Sequence, residues 1–279
     1  MRPHRAVLAC ACLLLAGCGA VGPAGGDART VNPALAGTPT ASPTPATPAR
    51  PPGVNASGVD RRALVAAHED ALDGRSLTVE TSRRVVADNG TVVLDSARRS
   101  RTDGLAQFYR ARVSETPYRR AGGRVFNVSY WRNDTVTVRR WADGNDSVSV
   151  TLDTDVPARS LFDRTGASAV ESLLAGYELR YAGTTTRDGE TLYVLTEANA
   201  EQPFRPLRTN VSLRALVARG GVVRSITVTY RTVEYGPPAR ARAQFRVTNV
   251  SDTEVPRPRW VDEALAERAA ETGGEGDEE

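Results

Sequence analysis

A chain of 279 residues with three Cys, two His and no Lys offers few side chains that can serve as nucleophile, base or soft metal ligand. The cysteines are Cys10, Cys12 and Cys18, so no thiol lies in the body of the chain. One His lies beyond the N-terminal region: His68, in "AAHEDA". Triad hydrolysis needs an imidazole positioned beside a Ser or Cys, and a zinc site needs three or four N, S or O ligands. A lone His in a helical pattern, next to Glu69 and Asp70, reads instead as a surface side chain. Covalent chemistry through Lys is excluded with Lys itself. Two carboxylates suffice for a glycosidase, but Asp88, Asp134, Asp146 and Asp188 fall in turn dipeptides, where Asp stabilises the turn locally. "DTDVPARSLFD" lacks the Gly and terminal Glu of an EF-hand, and no Gly-rich phosphate loop is present. The expectation is a protein that is not an enzyme and uses neither cofactor nor metal.

Cys18 is the exception. It follows a basic opening, "MRPHR", an apolar run from Ala6 to Leu15, and small residues, the three parts of an export signal. The apolar run is well short of the roughly 20 residues that cross a bilayer. The tetrad Leu15-Ala16-Gly17-Cys18 resembles the lipobox of secreted lipoproteins. That resemblance implies cleavage before Cys18 of a signal peptide spanning 1–17, and a lipid on its sulfur. Arg2 and Arg5 are not adjacent, which favours the general secretory route over twin-arginine export. From Gly19 to about Val54 the chain is rich in Pro, Thr, Ala and Gly and has no aromatic residue. Such a composition cannot offset its ordering entropy, and the regular prolines favour an extended polyproline spacer. Residues 18–58 are therefore expected to form a lipid-anchored stalk on the outer face of the cytoplasmic membrane.

Asparagine carries a second pattern. Seven of nine Asn begin N-x-S/T: Asn55, Asn89, Asn127, Asn133, Asn145, Asn210 and Asn249. These are candidate N-glycosylation sites outside the cell. "DNGT", "RNDT" and "GNDS" are also natural hairpin tips, and both roles are compatible because tips are exposed. Formal charge is +3, and loss of Arg2 and Arg5 with the signal leaves +1. That near-neutral balance excludes nucleic acid as a partner. The carboxyl end, 271–279, reads as a short acidic tail.

The elements between stalk and tail must position whatever site exists. Residues 59–270 are enough for one domain. "GVDRRALVAAHEDALDG" has helical spacing and a Gly stop. "SLTVETSRRVV" and "TVVLDSARR" flank Asn89-Gly90, "RVFNVSYW" and "TVTVRRWA" flank Asn133-Asp134, and "SVSVTLD" follows Asn145-Asp146, which together read as consecutive hairpins. "GASAVESLLAGY" reads as a second helix. Strands resume in "YELRYAGTTTR", "TLYVLTEA", "VSLRALVA" and "VVRSITVTYRTVEY", and a short helix, "VDEALAERAA", follows Trp260. In the last strand Ala239, Ala241, Ala243, Phe245 and Val247 alternate with Arg240, Arg242, Gln244 and Arg246, giving one buried and one wet face. Phe126, Val128 and Tyr130 share one side of a strand, with Trp131 and Trp141 read as projecting from the other side of theirs. The fold class is α+β: a large antiparallel sheet whose apolar face is covered by two or three helices.

An anchoring Cys, a Pro/Thr stalk, a first helix and repeated hairpins with a helix between two sheet halves resemble the half-barrel lipoprotein carriers of the LolA and LppX/LprG-like group. "DGETLYVL", "GGVVRSITVTY" and "VTNVSDTEVPRPRWVDEA" resemble an uncharacterised family of haloarchaeal cell-surface lipoproteins. The first resemblance implies a curved, half-barrel-like sheet and an apolar, lipid-like ligand held between sheet and helices. Its candidate lining residues are Ala239, Ala241, Ala243, Phe245, Ile226 and Val228, around an apolar cavity of at least about 300 Å³. The alternative is a glycosylated cell-surface module that supports the envelope or binds an envelope protein, without a small ligand.

Overall fold

A computed structural model of the chain describes residues 50–104, 106–115, 124–143, 148–153, 163–198 and 207–273. The chain divides into two units, Met1–Thr47 and Pro48–Glu279, and the second contains every element below. Helix α1 spans Arg61–Leu72, α2 Ala167–Leu174 and α3 Arg259–Gly273. The strands are β1 Leu77–Ala87, β2 Val92–Thr102, β3 Gln107–Glu115, β4 Arg124–Arg132, β5 Thr137–Asp143, β6 Val148–Asp153, β7 Leu179–Arg187, β8 Glu190–Glu197, β9 Arg208–Ala218, β10 Val223–Thr232 and β11 Ala239–Thr248.

All eleven strands form one open antiparallel sheet in the order β6-β5-β4-β3-β2-β1-β11-β10-β9-β8-β7. The chain meanders from the centre to one edge, crosses through α2 to the other edge, and meanders back until β11 pairs with β1. The helices and hairpins follow the sequence expectation, and β3 is the strand that expectation left out. In β3, Tyr109, Ala111 and Val113 alternate with Arg110 and Arg112.

Local chemistry fixes the ends of the elements. Asp60 caps α1, its carboxylate accepting from the Arg62 and Ala63 backbone N–H groups at 3.0 and 3.1 Å. The first turn of α2 is held by Asp163, which accepts from the N–H groups of Gly166 and Ser168. Burial alone would raise the Asp163 pKa; the bonds from Ser168, Gly166 and Thr165 outweigh it and hold the carboxyl below its ordinary range. Gly166 has φ +82°, and a Cβ there would lie 2.7 Å from the Phe245 ring and 2.9 Å from Val79. Glycine therefore lets the start of α2 sit directly on the sheet.

Residues 51–58, which composition places in the stalk, are packed onto this unit. Pro51 and Val54 are buried, Val54 bridges Val59, and the Asp60 N–H donates to the Gly53 carbonyl at 2.7 Å. Two apolar residues in a Pro-rich run are too few to register in composition, yet they suffice to seat the chain. At the other end, α3 extends to Gly273, so the start of the expected tail is helical.

The strand register separates two faces. Face A carries Val79, Thr81, Arg83 and Val85 of β1 with Ala239, Ala241, Ala243, Phe245 and Val247 of β11. Helices α1 and α2 lie on it and enclose the main core, which includes Leu64, Leu72, Leu174, Leu213, Ile226 and Phe245. Face B carries Glu80, Ser82, Arg242, Gln244 and Arg246. Helix α3 packs on face B, at the β3–β6 end, where Trp131, Val138, Val255, Val261 and Ala264 form a second core. The expectation of helices on a single apolar face is thus corrected. Phe108, Trp131, Val138 and Leu152 align across four strands on face B, an apolar row that strand-by-strand patterns do not reveal. Trp141 is corrected as well: it lies on the same face as Phe126 and stacks on it at 4.9 Å and 10°.

Candidate functional site

The space between sheet and helices is divided by side-chain size. Under α1 the interior is filled by the buried side chains of Leu64, His68 and Leu72. His68, expected at the surface, has 0 % exposure. Its Nδ1 accepts from the Val223 N–H at 3.0 Å, so Nε2 carries the proton and donates to the Thr165 carbonyl at 3.1 Å. Burial holds its pKa below the ordinary value, against smaller opposing effects of Thr165 and Asp163. The imidazole is a neutral strut joining α1, β10 and the segment before α2, and it packs edge-on against Phe245 at 5.8 Å. The i, i+4, i+8 set Leu64, His68 and Leu72 contained this signal, since His occupies the buried stripe of α1.

Beside α2 the packing opens. A pocket of about 490 Å³ lies between the sheet and α2. Ala169 and Leu173 of α2 with Val228 and Ala243 of the sheet supply apolar walls, while Thr81, Arg98, Ser168 and Ser172 supply polar ones. Ala243 is the reason for the opening: in its cross-strand row, Arg83–Ala243–Val228–Leu213, it is the one residue without a long or branched side chain.

At one end of the pocket Arg83 donates to the Tyr230 hydroxyl at 2.8 Å and to Glu234 at 3.2 Å, and Arg208 donates to Glu234 at 3.0 Å. Burial would raise the Glu234 pKa, but Arg208 and then Arg83 outweigh it and hold the carboxyl low. Arg83 Nε is buried without a hydrogen-bond partner among the described residues. Arg98, exposed at the rim, has no acidic partner among them either. The arrangement places an apolar wall beside hydroxyl groups and the exposed guanidinium of Arg98.

Of the six expected lining residues, Ala243 and Val228 border this pocket. Ala239, Ala241, Ile226 and Phe245 do not; they are core residues, with Ala239 and Ala241 in one cluster with Val85, Ala87, Tyr230 and Tyr235. The expected volume is reached but an all-apolar lining is not. Arg83, Thr81, Arg98 and Arg208 share face A with the alanines, on strands whose apolar alternation holds in other stretches.

Cys18 and Asn145 lie outside the described residues. The exposed Asn55 accepts through Oδ1 from Ser57 and Gly58, and Asn89 at the β1–β2 tip accepts from the Thr91 N–H, leaving both amide nitrogens, the atoms a glycan would take, outside these bonds. Asn133 is half-buried at the β4–β5 tip and Asn127 half-buried on face B. Asn210 and Asn249 are exposed with φ of +50° and +52°. Among the described residues no group of three or more His, Cys, Asp or Glu converges as a metal site, and no helix is long and apolar enough to cross a membrane.

No curated protein matches the chain. Among solved structures it is similar to the LprF protein of Mycobacterium bovis, at 8 % identity over 71 % of this chain and 96 % of that one, with a TM-score of 0.34. A DUF1329 family protein from Desulfovibrio piger is similar at 9 % identity over 71 % and 93 %, TM-score 0.24. A LolA superfamily protein from Nitrosomonas europaea is similar at 11 % identity over 71 % and 96 %, TM-score 0.22. Residues 4–264 match the model of a family of unknown function (DUF7537), and the chain belongs to that family.

Proposed function

We propose that this protein is an exported lipoprotein, anchored through Cys18 to the outer face of the membrane, that holds a lipid-like ligand with a negatively charged head between its sheet and α2. The observation that carries the reading is the pocket of about 490 Å³ with an apolar wall of Ala169, Leu173, Val228 and Ala243 and a rim of Arg98, Ser168 and Ser172. Its size falls in the range of small-molecule sites. The apolar chain of the ligand would lie against α2 and Ala243, and its head would meet Arg98, Ser168 and Ser172 at the rim. No catalytic step is part of this proposal.

A second reading, a glycosylated envelope module without a ligand, draws support from the close packing around Ala239 and Ala241 and from the exposed sequons. Mass spectrometry of protein extracted from its native source separates the two. The first reading expects lipid on Cys18 and a co-purifying anionic amphiphile. A free Cys18 thiol on mature protein would refute the anchor, and glycosylated protein without any ligand would favour the second reading.

A further inference from the structure

Face B outside the footprint of α3 bears a recess of about 750 Å³. Its floor is a cross-strand row of uncharged, mostly short residues, Thr227, Gln244, Ser82 and Ala97, on β10, β11, β1 and β2. The same row ends in Arg214 on β9 and Arg112 on β3. The neighbouring row holds Arg246, Glu80, Arg99 and Arg110, and Arg242 stands on the opposite side of the floor. Six arginines therefore ring an uncharged floor, facing one acid, Glu80, which is paired to Arg99 at 3.4 Å. Arg110, Arg112, Arg214, Arg242 and Arg246 are exposed and have no acidic partner among the described residues.

The arrangement also carries an internal cost. Arg99 stands directly across from Arg110, and Arg84 directly across from Arg242. Like charges at such positions, about 5 Å apart at Cβ, are destabilising. A ligand that brings negative charge into the recess would relieve the Arg99–Arg110 pair; Arg84 lies outside the recess lining and has Asp95 directly across from it on β2.

We propose that this recess binds a linear acidic polysaccharide, its carboxylates toward the arginines and its hydroxyls over the Thr227, Gln244 and Ser82 floor, independently of the pocket beside α2. Arg112 and Arg214 are separated by five strand spacings, about 24 Å at roughly 4.8 Å each, too far for one small anion to bridge. The arginines surround a recess instead of lying on a plane, which suits a chain better than a bilayer surface. Among the described residues the exposed large apolar side chains, Val125, Val150, Leu207 and Val233, do not border it and so supply none of the apolar anchors of interfacial membrane binding.

The test is binding of the full-length protein to an oligogalacturonate long enough to span the recess, with the methyl-esterified oligomer as neutral control. Saturable binding to the acidic form alone is expected, with strong weakening between about 0.15 and 1 M NaCl as the Debye length falls from about 8 to 3 Å. The triple substitution Arg110→Gln, Arg214→Gln and Arg246→Gln should weaken binding about tenfold, about 1.4 kcal/mol over the three exposed ion contacts together. An equal charge change elsewhere, Arg62→Gln, Arg75→Gln and Arg219→Gln, should leave binding unchanged. Both triples alter exposed side chains, and an undiminished thermal midpoint verifies their folding. Equal binding by the two triples would overturn the proposal. So would binding to anionic vesicles but not to the oligomer, which would make the face a membrane contact. Binding that appears only after removal of residues 274–279 would identify the chain's own acidic end as the occupant and also overturn it.

Discussion

Replacing His68 by Leu keeps an apolar side chain of similar reach in α1 and removes both hydrogen bonds that the ring makes. The Val223 N–H and the Thr165 carbonyl would then be buried without their present partner. Each orphaned group costs about 1–3 kcal/mol, so the variant should lose about 2–6 kcal/mol in urea unfolding at pH 7.5. The wild type should also depend on pH in a defined direction. Because burial holds the folded His68 pKa below its unfolded value, the unfolded chain takes up the proton first. The stabilisation is complete above the unfolded value, about pH 6.5, and declines as pH falls from there toward the folded one. Each unit between the two values is worth about 1.4 kcal/mol. Asp163 and Glu234, whose folded pKa values are depressed, lose their contributions at lower pH, as it falls through the carboxylate range. Comparing wild type and His68→Leu between pH 7.5 and 5 isolates the imidazole. A loss under about 1 kcal/mol, or the same pH slope in both proteins, would refute the assignment of His68 as a neutral strut.

Ala241→Phe and Ala243→Phe should diverge. The first overpacks the core at a cost of about 1–3 kcal/mol, while the second places its ring in the α2-side pocket, with little loss of stability but loss of bound ligand; equal destabilisation would show the pocket to be closed. Glu234→Gln removes the acceptor shared by Arg83 and Arg208 and should cost about 1–3 kcal/mol at neutral pH, the difference from wild type shrinking as pH falls and Glu234 itself protonates, as read by chemical denaturation. Cys18→Ser should leave uncut precursor or release the domain into the medium, and normal membrane retention would contradict a thioether anchor.

Much of the sheet was legible because hairpin tips such as Asn89-Gly90 and Asp188-Gly189 are chemically explicit and strand alternation has a period of two. The buried alternation of β11 could be read directly from its Ala and Arg residues. What stayed hidden depends on partners distant in sequence. His68 appears polar until β10 supplies a donor and the Thr165 segment an acceptor. The apolar row under α3 emerges only when Phe108, Trp131, Val138 and Leu152 are placed side by side by register. The arginine ring on face B is likewise distributed over β2, β3, β9 and β11, so a near-neutral net charge conceals it. The alanines of β11 suggest an apolar cavity, but register separates them: Ala243 borders the partly polar pocket beside α2, next to Arg83, whereas Ala241 is packed among larger side chains.

The most direct measurement is a titration of ligand-free, full-length protein with single-chain amphiphiles below their micelle concentration, anionic against neutral head, in wild type, Ala243→Phe and Arg98→Gln. The account predicts saturable binding of the anionic amphiphile, abolished by Ala243→Phe and reduced about five- to tenfold by Arg98→Gln, in keeping with about 1 kcal/mol for an exposed charge contact. Binding that ignores both substitutions, or no binding of either amphiphile by a fully folded protein, would contradict it.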